Sequence, residues 1–278
     1  MIMKKLPPWL VKKLPYNKSF FKIKGLIDKF NINTVCEESK CPNIYECFSK
    51  KTATFLSHGK FCTRKCKFCN ILYSKKPLPL DKNEPNRIAL FAKKLNLKHI
   101  IITMVTRDDL EDEGADHLVL IIREIKNKLA NSSIEVLSSD FSGKKALLDK
   151  ILNEDIQVFG HNLETTEELT PKIRYKASYI RSLKVLAYAK SYKNILVKSG
   201  IMLGFGETEN QVKKSIRDLK KVGCDIVTIG QYLQPGKKNI KVKQYIHPSQ
   251  FKKYEDYGYS IGIKKIFSSP FIRFSYKN

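Results

Sequence analysis

Six of the chain's seven cysteines fall within 34 residues, as two triplets, Cys36-x4-Cys41-x5-Cys47 and Cys62-x3-Cys66-x2-Cys69. Thiolates are soft ligands suited to iron–sulfur clusters and to zinc. Each triplet is one thiolate short of the four that a closed tetrahedral zinc or a fully protein-ligated cubane takes. Three thiolates on a [4Fe-4S] cubane leave its fourth iron open to a ligand that is not a cysteine, and at Cys62-Cys66-Cys69 that position suits a small chelating molecule. A six-thiolate zinc knot is the alternative, although zinc sites usually come as C-x2-C pairs that sum to four ligands. In the second triplet, Arg64, Lys65 and Lys67 offset the charge of a thiolate-rich site or form solvated surface. Phe68 shields a cluster or packs into a core.

Something must hold these loops, and the sequence offers a repeat: a short β-rich run, a polar or Gly-bearing loop, then a Lys-rich helical stretch. Runs at Thr54–Ser57, His99–Val105, Ile134–Ser139, Ile156–Phe159, Leu196–Leu203 and Ile226–Ile229 each lead into such a loop. Between them, Leu118, Ile121, Ile122, Ile125 and Leu129 form one apolar helical stripe. Six β-then-α units argue for parallel strands, because parallel neighbours need crossovers. Six are too few for an eight-stranded barrel. The fold class expected is α/β, a partial (β/α)6 TIM-type barrel with polar residues at the C-terminal strand ends; an open doubly wound sheet is the alternative. Residues 1–50 read as an extension bearing the first cysteine triplet and 51–248 as the barrel. In 249–278 a helix capped by Ser249 runs to about Tyr257 and an irregular tail follows.

The chain has 278 residues, enough for one large core. It carries no apolar run of the ~20 residues that cross a bilayer, and no signal peptide is read at its start. Unpaired, metal-type cysteines imply a reducing compartment, and a cytoplasmic location is expected. The net charge is +25, with 52 Lys and Arg against 27 Asp and Glu. Only eight of the basic residues are Arg, and Lys is spread along the whole chain. Three readings of that charge stand: a compositional bias such as an AT-rich genome produces, a basic face for an acidic protein, and nucleic-acid binding, the weakest of the three.

Longer stretches carry a resemblance to a known family. Thr34-Val35-Cys36-Glu37-Glu38-Ser39-Lys40-Cys41-Pro42-Asn43-Ile44-Tyr45-Glu46-Cys47 is very similar to the signature of the lipoyl synthases. So are Thr52-Ala53-Thr54-Phe55, Cys62-Thr63-Arg64-Lys65-Cys66-Lys67-Phe68-Cys69 and Thr106-Arg107-Asp108-Asp109. The match continues through His161-Asn162-Leu163-Glu164-Thr165, Lys198-Ser199-Gly200, Gly204-Phe205-Gly206-Glu207 and Gly230-Gln231-Tyr232-Leu233-Gln234-Pro235. C-x3-C-x2-C alone resembles the radical S-adenosylmethionine (SAM) enzymes at large; the added C-x4-C-x5-C narrows it. Methylthiotransferases acting on tRNA, a rival class, space their extra cysteines tens of residues apart and add a C-terminal β-barrel, and this chain has neither pattern. A non-enzymatic zinc-bound interaction module is the second rival, and metal analysis would tell it apart.

The resemblance implies an enzyme that inserts two sulfur atoms, at C6 and C8, into a protein-bound octanoyl chain. It implies two [4Fe-4S] clusters: Cys62, Cys66 and Cys69 hold the one whose open iron binds SAM and cleaves it to a 5′-deoxyadenosyl radical. Cys36, Cys41 and Cys47 hold an auxiliary cluster consumed as the sulfur source. In this family a C-terminal Arg-Ser-Ser-Tyr motif supplies the auxiliary cluster's fourth ligand. This chain reads Arg273-Phe274-Ser275-Tyr276, which keeps the serine as Ser275 and replaces the other with Phe274. Ser268-Ser269-Pro270 likewise stands where Ser-Gly-Pro is usual, which bears on that turn. Arg107 is expected to act with Ser275 at the reacting centre. Asp108, Asn162, Glu164, Gly204, Gly206 and Glu207 are expected at SAM, although Asp108 or Asp109 as a helix cap and a plain Gly-rich turn at 204–206 read equally simply. His161 is expected to line the site. His58, His99, His117 and His247 are expected to be structural, and Cys224 to pack in the core. The partners implied are octanoylated lipoyl-carrier domains of 2-oxoacid dehydrogenase complexes and the glycine cleavage H protein, with an electron donor such as ferredoxin or flavodoxin.

Overall fold

Strands that are apolar on both faces belong in a parallel sheet covered on both sides, and the strands here are of that kind. A computed structural model describes residues 6–12, 18–50, 54–192 and 194–275; Thr52, Ala53 and Tyr276 of the motifs above lie outside them. After a 3-10 turn at Pro8–Leu10 come α1 (Lys18–Lys29), α2 (Val35–Glu38) and α3 (Ile44–Ser49), and the chain then enters the sheet at β1 (Thr54–Ser57). The second cysteine triplet follows, flanked by the short pair β2 (Phe61–Cys62) and β3 (Leu72–Tyr73). Next come α4 (Glu84–Lys94), β4 (His99–Met104), α5 (Ala115–Lys128), β5 (Ser133–Leu137), α6 (Lys145–Leu152) and β6 (Val158–Gly160). The chain continues through α7 (Thr170–Ile173), α8 (Tyr179–Lys190), β7 (Leu196–Leu203), α9 (Glu209–Lys221), β8 (Ile226–Gln231), α10 (Pro248–Ser260) and β9 (Lys265–Ser268).

The main sheet is seven-stranded, in the order β1-β4-β5-β6-β7-β8-β9, every pair parallel. Strands follow one another in space as in sequence. A doubly wound sheet reverses its order at a switch point; this one never does, so it is a partial barrel. The first six strands fall on the six β-rich runs. The stripe on α5 faces the core, with Leu118, Ile121, Ile122 and Ile125 fully buried.

Two details of residues 249–278 differ from the sequence reading. The helix begins at Pro248, with His247 rather than Ser249 as N-cap, because proline's fixed φ and missing N–H suit the first helical position. It runs on to Ser260, and the supposed irregular tail contains β9, paired to β8 with Val227 opposite Ile266.

The open edge of β1 is covered from residues 1–50: Leu56 N–H donates to the Asn33 carbonyl at 2.9 Å, and Thr34 bridges Phe55 antiparallel. At the far edge α10 packs on β9, where the Ser268 hydroxyl donates to the Phe251 carbonyl at 2.7 Å. Covered edges do not recruit other chains. Glu84 of α4 accepts from His58 N–H at 2.8 Å and contacts His117 Nε2 at 2.7 Å, so His58 braces the end of β1 and His117 ties α5 to α4. Cys224 is buried in the core, its thiol pushed up to about 12 by burial.

Candidate functional site

The second triplet is held by backbone hydrogen bonds on every side. Cys69 N–H donates to the Cys66 carbonyl at 3.0 Å, closing a turn, and Thr63 N–H donates to the Thr106 carbonyl beyond β4 at 3.0 Å. Lys67 N–H donates to the Ile173 carbonyl, Ile240 N–H to the Lys67 carbonyl, and Asn239 Nδ2 to the Cys69 carbonyl, at 2.9, 2.9 and 2.7 Å. Two more amides point at sulfur: Arg64 N–H at Cys62 Sγ (3.3 Å) and Tyr175 N–H at Cys66 Sγ (3.4 Å). Such N–H donors stabilise a thiolate that ligates metal. Burial pushes the Cys66 thiol up and the Cys69 thiol up to about 12, so without metal both stay protonated at neutral pH.

The first triplet is built from two short helices joined by a reversal. Thr34 caps α2 by accepting from Glu37 N–H, Lys40 turns through φ +53°, and Cys41 N–H donates to the Cys36 carbonyl at 3.0 Å. Cys47 sits on α3. Burial raises Cys36 to about 12 and Cys47 to about 11.

The C-terminal tail closes the space between the triplets. Asn43 Nδ2 donates to the Phe271 carbonyl at 2.8 Å. A Cβ on Gly230 would stand 2.1 Å from the Ile272 carbonyl oxygen, and one on Gly160 2.1 Å from the Phe274 ring, so both glycines make room for the tail. Arg273 is half-buried, and desolvation lowers its pKa while the neighbouring Cys41 opposes that shift. Phe274 packs inside the barrel with the Lys198 ammonium 4.4 Å from its ring centre, and Lys198 pairs with Glu135 at 2.7 Å. The turn at Ser269 needs no left-handed residue: Ser269 N–H reaches the Ile229 carbonyl at 3.1 Å, and its φ is not positive.

Cys36, Cys41, Cys62, Cys66, Cys69 and Ser275 line one cavity of about 420 Å³, with Asn162, Glu164, His161 and Arg174 on its wall; Cys47, on α3, does not reach it. Apolar walls come from Leu56, Met104, Leu137, Ile201 and Phe274. All seven cysteines of the chain are free thiols. Among the described residues no three Cys, His, Asp or Glu side chains converge as around a single ion. In a cubane each thiolate binds a different iron, so its sulfurs stand wider apart than the ligands of one zinc, and a donor set that does not converge on one point is compatible with that larger group.

Glu164 takes a left-handed φ of +65°, anchored to β7 by its N–H to the Gly200 carbonyl at 2.9 Å. Backbone strain of this kind collects at functional sites. Burial raises the Glu164 pKa, Arg174 opposing, and Asn162 Nδ2 donates to its Oε1 at 3.1 Å. Asn162 Oδ1 is buried and has no hydrogen-bond partner among the described residues. Arg174 NH1 donates to Ser182 Oγ at 3.0 Å, and Ser182 Oγ stands 2.9 Å from His161 Nε2. His161 Nδ1 faces the Ser138 carbonyl, which only accepts, so Nδ1 carries the proton. Burial and the nearby Arg174 charge lower His161 to about 4, leaving it neutral.

Other expected site residues serve the scaffold. Arg107 is fully buried in a two-point pair with its neighbour Asp109, at 2.8 Å twice, and does not line the cavity. Asp108 grips Arg64 of the cysteine loop (NH2–Oδ1 2.8 Å) and accepts from the Thr63 hydroxyl. Asp140, past β5, takes the same Arg64 at 2.8 Å and Arg181 at 2.8 Å. Gly204 and Gly206 take φ of +113° and +100°, and Glu207 folds back to accept from Gly204 and Phe205 N–H; none of the three lines the cavity. Phe68 lines the cavity and also packs toward Phe205, ring centres 6.4 Å apart, in a satellite core. Arg174 and Asp140 went unassigned in the sequence because no spacing ties either to the cysteines; their partners are set by the barrel.

A sequentially wound partial barrel with a C-x3-C-x2-C loop at its mouth defines a class, and the comparisons agree. The profile described as "Radical SAM superfamily" matches residues 56–232. Solved structures share the fold: methylornithine synthase (TM-score 0.56, 15% identity, covering 95% of this chain and 86% of that one) and Streptococcus suis SuiB bound to S-adenosylmethionine (0.61, 13%, 81% and 53%). The profile "N-terminal domain of lipoyl synthase of Radical_SAM family" matches residues 2–41. Lipoyl synthase of Protochlamydia amoebophila is 50% identical over 98% of this chain and 85% of its own length. That of Caldicellulosiruptor saccharolyticus is 47% identical over 99% and 97%. The chain belongs to the lipoyl synthase family of the radical SAM enzymes.

Proposed function

We propose that the protein converts octanoyl groups on lipoyl-carrier domains into lipoyl groups, inserting sulfur at C6 and C8, in the cytoplasm. One observation carries the reading: cysteines of both triplets, Cys36 and Cys41 with Cys62, Cys66 and Cys69, line a single cavity together with Ser275 and several apolar side chains. In this reading Cys62, Cys66 and Cys69 hold a [4Fe-4S] cluster that receives SAM, and Cys36, Cys41, Cys47 and Ser275 hold a second that gives up sulfur. When bound, these groups supply what side chains lack: a carbon radical able to take hydrogen from unactivated C–H bonds, and sulfur to replace it.

The chain's own residues position and exclude. Arg64, gripped by Asp108 and Asp140, fixes the cysteine loop to the ends of β4 and β5. Glu164, Asn162 and Arg174 offer one carboxylate, an unpartnered amide oxygen and a guanidinium to the polar parts of SAM. Leu56, Met104, Leu137, Ile201 and Phe274 keep water from the acyl chain. Residues 1–50 act as a cover at one edge of the barrel, and 249–278 add its seventh strand, β9, with α10 packed on that strand. Carrier domains of 2-oxoacid dehydrogenases and glycine cleavage H protein are the substrates proposed, with ferredoxin or flavodoxin as reductant.

The test is anaerobic reconstitution with SAM, dithionite and an octanoyl-lysine peptide, read by mass spectrometry. Cys62/Cys66/Cys69→Ala should lose about four of eight irons and all 5′-deoxyadenosine. Cys36/Cys41/Cys47→Ala should keep 5′-deoxyadenosine and lose lipoyl product. Lipoyl formation by the second variant, or 5′-deoxyadenosine from the first, overturns the assignment.

A further inference from the structure

The net charge is not spread evenly over the surface. Residues 59–80, which carry the second triplet, hold six basic residues and no carboxylate. Residues 171–177 hold three basic and no acidic residues, and 236–244 four and none. The barrel brings these three segments together: Lys67 N–H bonds the Ile173 carbonyl, and Ile240 N–H bonds the Lys67 carbonyl. Lys67, Lys75, Lys76, Lys172, Lys238 and Lys241 are exposed, and none pairs with a carboxylate among the described residues. Apolar surface sits amid them: Leu72 (44% exposed), Tyr73 (37%) and Leu78 (74%), with the Lys65 ammonium 5.5 Å from the Tyr73 ring and 5.1 Å from that of Tyr175.

We propose that this basic collar is the docking face for a small acidic electron-donor protein; the proposal rests on the function above. Breaking the sulfonium C5′–S bond of SAM to methionine and a carbon radical consumes one electron, so the donor leaves oxidised by one electron. A donor has only to approach the Cys66–Cys69 loop from outside, and the collar surrounds that side of it. An acyl carrier must instead deliver its chain between the triplets. The first triplet is joined to the loop at its other end, where Asn70 Nδ2 donates to the Glu38 carbonyl at 2.7 Å. A ring of unpaired lysines around a few apolar side chains suits the small, charge-steered encounters of electron-transfer partners.

The probe is a reduced acidic flavodoxin, with dithionite as the small-molecule donor. Flavodoxin affinity for wild type, by calorimetry, should fall steeply with salt. Lys75→Glu/Lys76→Glu/Lys172→Glu should bind it about tenfold more weakly and lose flavodoxin-driven 5′-deoxyadenosine in proportion, while dithionite-driven product stays within about twofold. Lys93→Glu/Lys94→Glu/Lys221→Glu, the same charge change on α4 and α9, should keep both. Equal loss in the two variants reduces the effect to net charge and overturns the proposal. So does unchanged flavodoxin binding in the first. Loss confined to an octanoylated carrier domain would reassign the face to the substrate, and loss with dithionite too would make the lysines part of the loop's fold; either outcome also overturns it. Failure of the proposed function shows separately, as wild type that makes no 5′-deoxyadenosine with dithionite.

Discussion

Arg64 lies between two cysteines, and its guanidinium is 7% exposed against Asp140 at 0%. Burial alone would lower its pKa, but the hydrogen bonds it donates to Asp108 and Asp140 outweigh that and raise it. Asp140 is the mirror case: burial works against the carboxylate, and Arg64 holds its pKa well below the usual range. Breaking a buried pair leaves an uncompensated charge, so Asp140→Asn should cost about 3–5 kcal/mol in urea unfolding of the apoprotein. The sign with pH follows from the depressed folded pKa. The contribution is complete above the unfolded value, near pH ~4, and disappears as pH falls below it. The gap between wild type and variant should therefore hold from neutral pH to about 4 and narrow below it; a gap that widens with acid would refute the account. At this scale the cysteines were legible because their spacing is itself chemistry. Asp108 could be singled out but not given its partner, because Arg64 is 44 residues away and only β4 brings them together.

The six β-rich runs were readable as elements because each ends in a turn and a helix of matching length. β9 was not: Lys265–Ser268 is four residues long with one fully buried side chain, Ile266, and no alternation to mark it. Its place is set by α10, where Gly258 lets the strand lie close; a Cβ there would come within 2.5 Å of Ile266 Cδ1. In a free helix Gly costs about 1 kcal/mol relative to Ala, so this glycine is explained by packing. Gly258→Leu should lower stability by about 1–3 kcal/mol through overpacking. Adding Ile266→Ala should recover part of that loss in a double-mutant cycle, because the two side chains then share one space. Strictly additive losses would show that the contact is not the cause.

Across the whole molecule, three stretches far apart in sequence enclose one cavity: 35–42, the strand ends of the barrel, and 272–275. Position 274 shows why the tail's path could not be read in advance. A serine there would leave a gap above Gly160, whereas Phe274 fills it and lies against the buried Lys198–Glu135 pair. The pattern of the sheet does not depend on the tail, since β9 ends at Ser268. A chain ending at Phe271 should therefore fold, keep the Asn43–Phe271 contact and retain about four irons at the second triplet. Its dithionite-driven 5′-deoxyadenosine should persist. It should lose lipoyl product, because Ser275 and the apolar wall formed by Phe274 are gone and water reaches the space between the triplets. Restoring only the ligand, as in a full-length chain with Phe274→Ala, should return iron but not full lipoyl yield if the ring's exclusion of water matters alongside Ser275. Wild-type lipoyl yield from the truncated chain would remove the tail from the mechanism altogether.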